Sequence, residues 1–180
     1  MKDDYHNYLY KRRVHYTNEN ASTILSETIK ERISNSAVII CIGTDRCIGD
    51  ALGPLVGTML QNRDFRFPVY GTLDDPIHAV NLKESMEKIK GKHPNGFFIA
   101  VDACLGNEEL IGNIHVKRGP IFPGKGVGKK LPGVGQMSIV GIVDKLNKED
   151  CFSIHNIRLS LVMKMSEVIV DAFILATYLS

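Results

Sequence analysis

Ala37-Val-Ile-Ile-Cys-Ile42 runs directly into Gly43-Thr-Asp-Arg-Cys-Ile-Gly-Asp50-Ala-Leu-Gly-Pro54, and this passage decides the fold. Six apolar residues closed by a glycine are too few for an independent helix. They match a strand buried on both faces of a parallel sheet. Two further runs are of the same kind: Phe67-Pro-Val-Tyr70, the weaker, and Gly96-Phe-Phe-Ile-Ala-Val101, the stronger, which ends at Asp102. Helical patterns over 52–61 and 78–89 lie between these strands. Strand and helix alternating in this way predict an α/β fold, a three-layer α/β/α sandwich around a mostly parallel sheet.

Working outward, Ile24, Leu25, Ile29 and Ile33 recur at helical spacing over 21–33. Gly112-Asn-Ile-His-Val-Lys117 alternates like a strand with one wet face, and Ser138-Ile-Val-Gly-Ile-Val143 reads as another core strand. A long helix begins at Ile157. Lys164, Glu167 and Asp171 interrupt its apolar run, which argues for a buried helix of a soluble protein and against a membrane span. Residues 1–20, polar and carrying Tyr5, Tyr8 and Tyr10, read as an N-terminal arm, and 21–180 as a single domain. The stretch 119–135, with six glycines and three prolines, is a loop long enough to be functional or mobile.

Composition excludes several classes. The 180 residues are 44% hydrophobic and 23% charged, as in ordinary globular domains, so disorder and coiled coil are not expected. A formal charge of +2 is too small to predict a nucleic-acid partner, and Lys11-Arg12-Arg13 reads as a solvated part of the arm. Cys41, Cys47, Cys104 and Cys151 form no Cys-x-x-Cys pair, so zinc is not expected and a reduced environment is. The N-terminus lacks the apolar core of a signal peptide, which makes the cytoplasm the expected compartment.

In open parallel sheets, ligands bind outside the carboxyl ends of the strands. The loops after Ile42 and Val101 should open on one such edge and bring Asp50 and Asp102 together. Asp50 has a second reading as the N-cap of the helix that follows, and Asp102 is the harder to dismiss, because an unpaired charge beside apolar strand surface is costly. Asp74-Asp75-Pro76 precedes His78 and Asn81; it is either a third polar segment of the site or an ordinary turn before a helix. Gly124-Lys-Gly-Val-Gly-Lys-Lys130 fails as a phosphate-binding P-loop in spacing, in lacking Ser or Thr after the lysine, and in lacking a preceding core strand; it reads as a basic flap. No Gly-x-Ser-x-Gly elbow is present. Cys47 and Cys104 lie in the two aspartate loops and leave a thiol nucleophile open, with small packing residues as the plainer reading.

Gly43-Thr-Asp-Arg-Cys-Ile-Gly-Asp-Ala-Leu-Gly-Pro-Leu-Val-Gly57, Thr72-Leu-Asp-Asp-Pro-Ile-His-Ala-Val-Asn-Leu82, Ala100-Val-Asp-Ala103 and Pro123-Gly-Lys-Gly-Val-Gly-Lys129 together resemble the YyaC-type sporulation proteins. The same segments are distantly similar to the spore germination protease, and the fold that the resemblance implies is shared with the hydrogenase maturation endopeptidases. It implies a sporulation-associated peptidase with Asp50 and Asp102 as a catalytic dyad. Substrate contacts would come from Asp75, His78 and the glycines Gly124, Gly126 and Gly128. Small acid-soluble spore proteins would be the substrate, in the cytoplasm of the sporulating cell or forespore. No cofactor is implied. The maturation enzymes carry a glutamate where Asp50 falls and gather a metal. A metal here would need Asp50, Asp102 and His78, and the departure argues for no metal. Two other readings stand beside the peptidase: a catalytically silent peptide-binding protein and a metal-dependent processing endopeptidase. The apolar last helix leaves room for a homo-oligomer.

Overall fold

Every residue of Ala37–Cys41 is buried, and this strand, β2, lies inside a six-stranded sheet. The computed structural model describes residues 10–33, 36–123, 131–145 and 157–178. Along the chain the elements are β1 (Tyr10–His15), α1 (Ala21–Lys30), β2, α2 (Leu52–Asn62), β3 (Val69–Tyr70), α3 (Leu82–Lys92), β4 (Phe97–Gly106), β5 (Asn113–Arg118), β6 (Met137–Lys145) and α4 (Leu159–Tyr178). Short 3-10 turns at Ile48–Ala51 and Glu108–Leu110 complete it. The sheet order is β1-β5-β6-β4-β2-β3, with β6, β4, β2 and β3 mutually parallel and with β5 pairing antiparallel to both β6 and β1 at one side.

Period-two alternation sends neighbouring residues of each strand into two different cores. Ile39, Cys41, Ile99, Val101 and Ile139 pack under α1, α2 and α4, whereas Val38, Ile40, Phe98 and Ala100 pack under α3 with Ile121 and Val134. The expected α/β/α sandwich is therefore the observed one. On α4, Val162, Met165, Ser166, Ile169, Phe173 and Ala176 face inward. Lys164 and Glu167 stay exposed, and Asp171 pairs with Arg63 at 2.6 Å. No helix among the described residues is long and apolar enough to cross a membrane.

Three elements differ from the expectation. β4 does not end at Asp102 but continues to Gly106, because β6 offers it a partner as far as Lys145. α3 begins at Leu82, not at 78. The side chain of Asn81 accepts the His78 N–H at 2.8 Å and donates to the Pro76 carbonyl at 2.9 Å, which holds 76–81 as a turn. Part of the stretch read as an arm belongs to the sheet: Tyr10–His15 pairs with β5, and Val14 is buried. Residues 1–9 lie outside the described residues.

The crossover from β2 to α2 depends on two glycines. Gly43 has φ +142 and sits against the Asp50 carbonyl, while a side chain at Gly53 would run into the backbone of Ile42. Gly53→Ala should therefore push α2 off the end of β2 and cost about 1–3 kcal/mol. Gly91→Ala, where an added Cβ meets nothing, should stabilise by about 0.5–1 kcal/mol through helix propensity. Urea unfolding midpoints of the two variants check both signs.

Candidate functional site

The site forms where β2 runs out of partners. The Ile42 N–H donates to the Val101 carbonyl on one side at 2.8 Å, and Ile42 bridges Ile77 on the other. The Gly43 N–H then donates to the Ile77 carbonyl at 2.8 Å. The residue after Val101 is Asp102 and the residue after Ile77 is His78, so these two flank the end of β2 from opposite sides, each on a chain about 5 Å from it. The loop leaving Gly43 folds back on itself, and the Thr44 N–H donates to the Asp50 carbonyl at 3.1 Å. Asp50 is thereby returned to the top of β2, between the other two.

Asp50 is not a helix cap. It lies inside the 3-10 turn Ile48–Ala51, and neither Cys47 nor Ala51, which precede the 3-10 turn and α2, makes a side-chain cap bond. Its half-buried carboxyl is raised above the usual carboxylate range by burial, partly offset by the Thr44 backbone N–H and the His78 imidazole. Asp102 is raised further. Burial is the larger cause, the Asp50 charge adds to it, and the Ala103 N–H offsets only part. That N–H donates to Asp102 Oδ1 at 2.9 Å, which leaves Oδ2 to carry the proton. The two carboxylates thus act on one another, and their surroundings are unequal.

His78 is half-buried, and its Nδ1 accepts the Val80 N–H at 3.3 Å. A neutral ring held this way carries its proton on Nε2, which makes His78 a donor. Asp75 is placed differently: it is exposed, its carbonyl accepts the Thr72 N–H while its own N–H donates to Thr72 Oγ1, and it exerts its charge on Lys88 of α3. Gly124, Gly126 and Gly128 lie outside the described residues. The base of their loop is tied at the other edge of the sheet, where the Gly119 N–H donates to Gln136 and the Gln136 N–H donates to Phe98. Phe98 precedes Asp102 by four strand residues, about 13 Å.

Cys41 and Cys104 make poor nucleophiles. Burial drives the Cys41 thiol far above its ordinary range, and burial with the neighbouring Asp102 pushes Cys104 up to about 12. Among the described residues, no three His, Cys, Asp or Glu side chains come together closely enough to hold a metal ion. A shallow depression of about 220 Å³ lies at the opposite end of the sheet, lined by Ser36, Val38, His93 and Asn95 among others, and no carboxylate lines it.

Some contributors carried no motif in the sequence. The backbone N–H groups of Thr44 and Ala103 are invisible to any reading of residue types. Asn81, which holds the His78 turn, was visible only as an asparagine within the helical pattern over 78–89. His115 lies on the same sheet face as Asp102, in register through Val140. Burial, with Arg13 and Lys117 nearby, pushes it down to about 4, so it is neutral near pH 7.

Comparison with known proteins places this architecture. A family profile described as "Protein of unknown function (DUF1256)" matches residues 13–172. The uncharacterized protein YyaC of Bacillus subtilis is 47% identical over 150 residues, which cover 83% of this chain and 73% of that one.

Because the folded state holds the Asp102 proton more tightly than the unfolded chain does, stability falls as pH rises from the unfolded carboxylate range through the raised value. Asp102→Asn keeps the shape and removes the titration. Its melting temperature should exceed the parent's by a margin that widens between pH 4 and 8 (about 2–4 °C for each kcal/mol in a chain of this size). A margin that is flat with pH in a calorimetric scan would show that Asp102 is not desolvated in the fold.

Proposed function

This chain belongs to the DUF1256 family, and within that family we propose that it is a peptidase in which Asp50 and Asp102 hydrolyse peptide bonds of a spore protein. One observation supports the reading: two half-buried carboxyls lie at the end of the same core strands, near enough for the charge of Asp50 to raise Asp102. Carboxylates that cannot both ionise cheaply divide a proton between them, which acid–base hydrolysis of an amide requires. The resemblance of the Asp50 and Asp102 segments to the spore germination protease supports the same reaction.

The unequal surroundings assign the roles. Asp50, steadied by the Thr44 N–H and by His78, is the ionised partner and general base. Asp102, with Oδ1 occupied by Ala103, is the protonated partner and general acid. Asp50 takes a proton from water as the water oxygen bonds to the scissile carbon. Asp102 Oδ2–H donates to the carbonyl oxygen, and the resulting tetrahedral centre is neutral overall. Collapse returns that proton to Asp102, and the proton on Asp50 passes to the departing nitrogen as the C–N bond breaks. His78, whose imidazole acts on Asp50, can hold the water or the carbonyl oxygen. No metal is required. The expected substrates are small acid-soluble spore proteins, and the setting is the cytoplasm of the sporulating cell or forespore.

The purified chain should cleave a small acid-soluble spore protein with a rate unchanged by chelator. Asp50→Asn and Asp102→Asn should each slow it by about 10²–10⁴-fold. The kcat/KM profile should be bell-shaped, its acid limb set by Asp50 and its alkaline limb by Asp102. Both carboxyls are raised, so the optimum should lie above the ordinary carboxylate range. Parent-like rates in either variant would remove the dyad.

A further inference from the structure

β4 outruns its neighbour. β2 pairs with it only as far as Cys41 with Val101, and residues 102–106 have a ladder on the β6 side alone among the described residues. In a parallel strand, the N–H and C=O of one residue point to the same side, and that side alternates along the chain. The Val101 carbonyl points toward β2, where it accepts from Ile42, so Ala103 points the same way into the gap that β2 has left. The Ala103 N–H is taken by Asp102 Oδ1, and among the described residues its carbonyl receives no main-chain donor. Ala103 and Leu105 are both partly exposed.

Exposed apolar side chains lie close along the chain to two of the polar groups. Ile48 is 40% exposed and two residues from Asp50; Val80 is 80% exposed and its N–H is held by His78. Single exposed apolar residues are ordinary. Here one stands on each of the two loops that carry the polar groups of the site.

We propose that an extended polypeptide segment docks as an added strand on the free edge of β4 at Ala103, with an apolar side chain seated between Ile48 and Val80. Its amide donates to the Ala103 carbonyl, which draws the neighbouring peptide bond alongside Asp102 and Asp50. Strand addition of this kind reads main chain for affinity and alternate side chains for specificity. A folded protein cannot supply such a strand, so the substrate class is an unstructured segment with an apolar residue beside the cut. The inference deepens the peptidase reading and rests on it for the position of that cut.

The test measures binding of fluorescein-labelled, otherwise polar dodecapeptides with a central Leu, Ser or Asp to the full chain carrying Asp50→Asn, so that turnover does not intervene. The Leu peptide should bind about tenfold more tightly than the Asp peptide. Ile48→Ser and Val80→Ser should each erode that preference several-fold and leave the Ser peptide unchanged. N-methylation of alternate amides should weaken binding about tenfold in one register and little in the other. Equal binding of Leu and Asp peptides, or equal effects of both N-methylation registers, would overturn the docking strand. Cleavage by the parent chain is scored in parallel. Selective, register-dependent binding with no cleavage of any peptide removes the peptidase reading and leaves the docking strand standing. Cleavage with unselective binding removes the docking strand alone.

Discussion

Ile42 is the last residue of β2 held by main chain on both sides, by Val101 through its N–H and by the bridge to Ile77. All the polar chemistry gathers one step beyond it. Asp102 stands level with Ile42 and Ile77, and Gly43 and His78 follow one residue on, so these groups emerge together at the edge of the sheet. The tight return at Gly43 then places Asp50 among them. Changes that slide one of these segments by a residue would turn its side chain to the opposite face and take the group out of the site.

The arrangement works against stability where it favours chemistry. A carboxyl that stays protonated because it is desolvated is a group that the unfolded chain would rather ionise, so Asp102 weakens the fold progressively as the pH rises. Such local costs collect at functional sites, and the rest of the molecule carries them. Here it does so with two separate apolar cores, one on each face of the sheet. The inequality between the carboxyls comes from backbone groups: the Ala103 N–H occupies one oxygen of Asp102, while Thr44 and His78 favour the charge on Asp50.

Much of the fold was legible because its central strands are apolar on both faces. Ala37–Cys41 and the first half of β4 can be read without knowing their neighbours, and the inward stripe of α4 has helical periodicity. The second half of β4 was not legible, since Asp102 and the residues after it look like a loop until β6 is known to run beside them. Tyr10–His15 escaped notice for a similar reason: its charged sequence resembles a tail, and only β5 makes it a strand. The turn before α3 is set by Asn81, whose side chain holds the backbone of Pro76 and His78 where the apolar periodicity alone would continue the helix.

The sequence by itself determined that this is an α/β chain with aspartates following two apolar core runs, because burial periodicity and strand-terminal glycines are local properties. Which residues would meet was decided only by the tertiary structure. Asp50 and Asp102 are joined by Ile42 lying between Val101 and Ile77, and His78 arrives by the same row. Asp75, close to His78 in sequence, stays exposed, and its charge is felt by Lys88. The division of one proton between two chemically identical side chains was also beyond the sequence. It depends on desolvation and on which backbone N–H points at which oxygen, and those are properties of the folded surroundings.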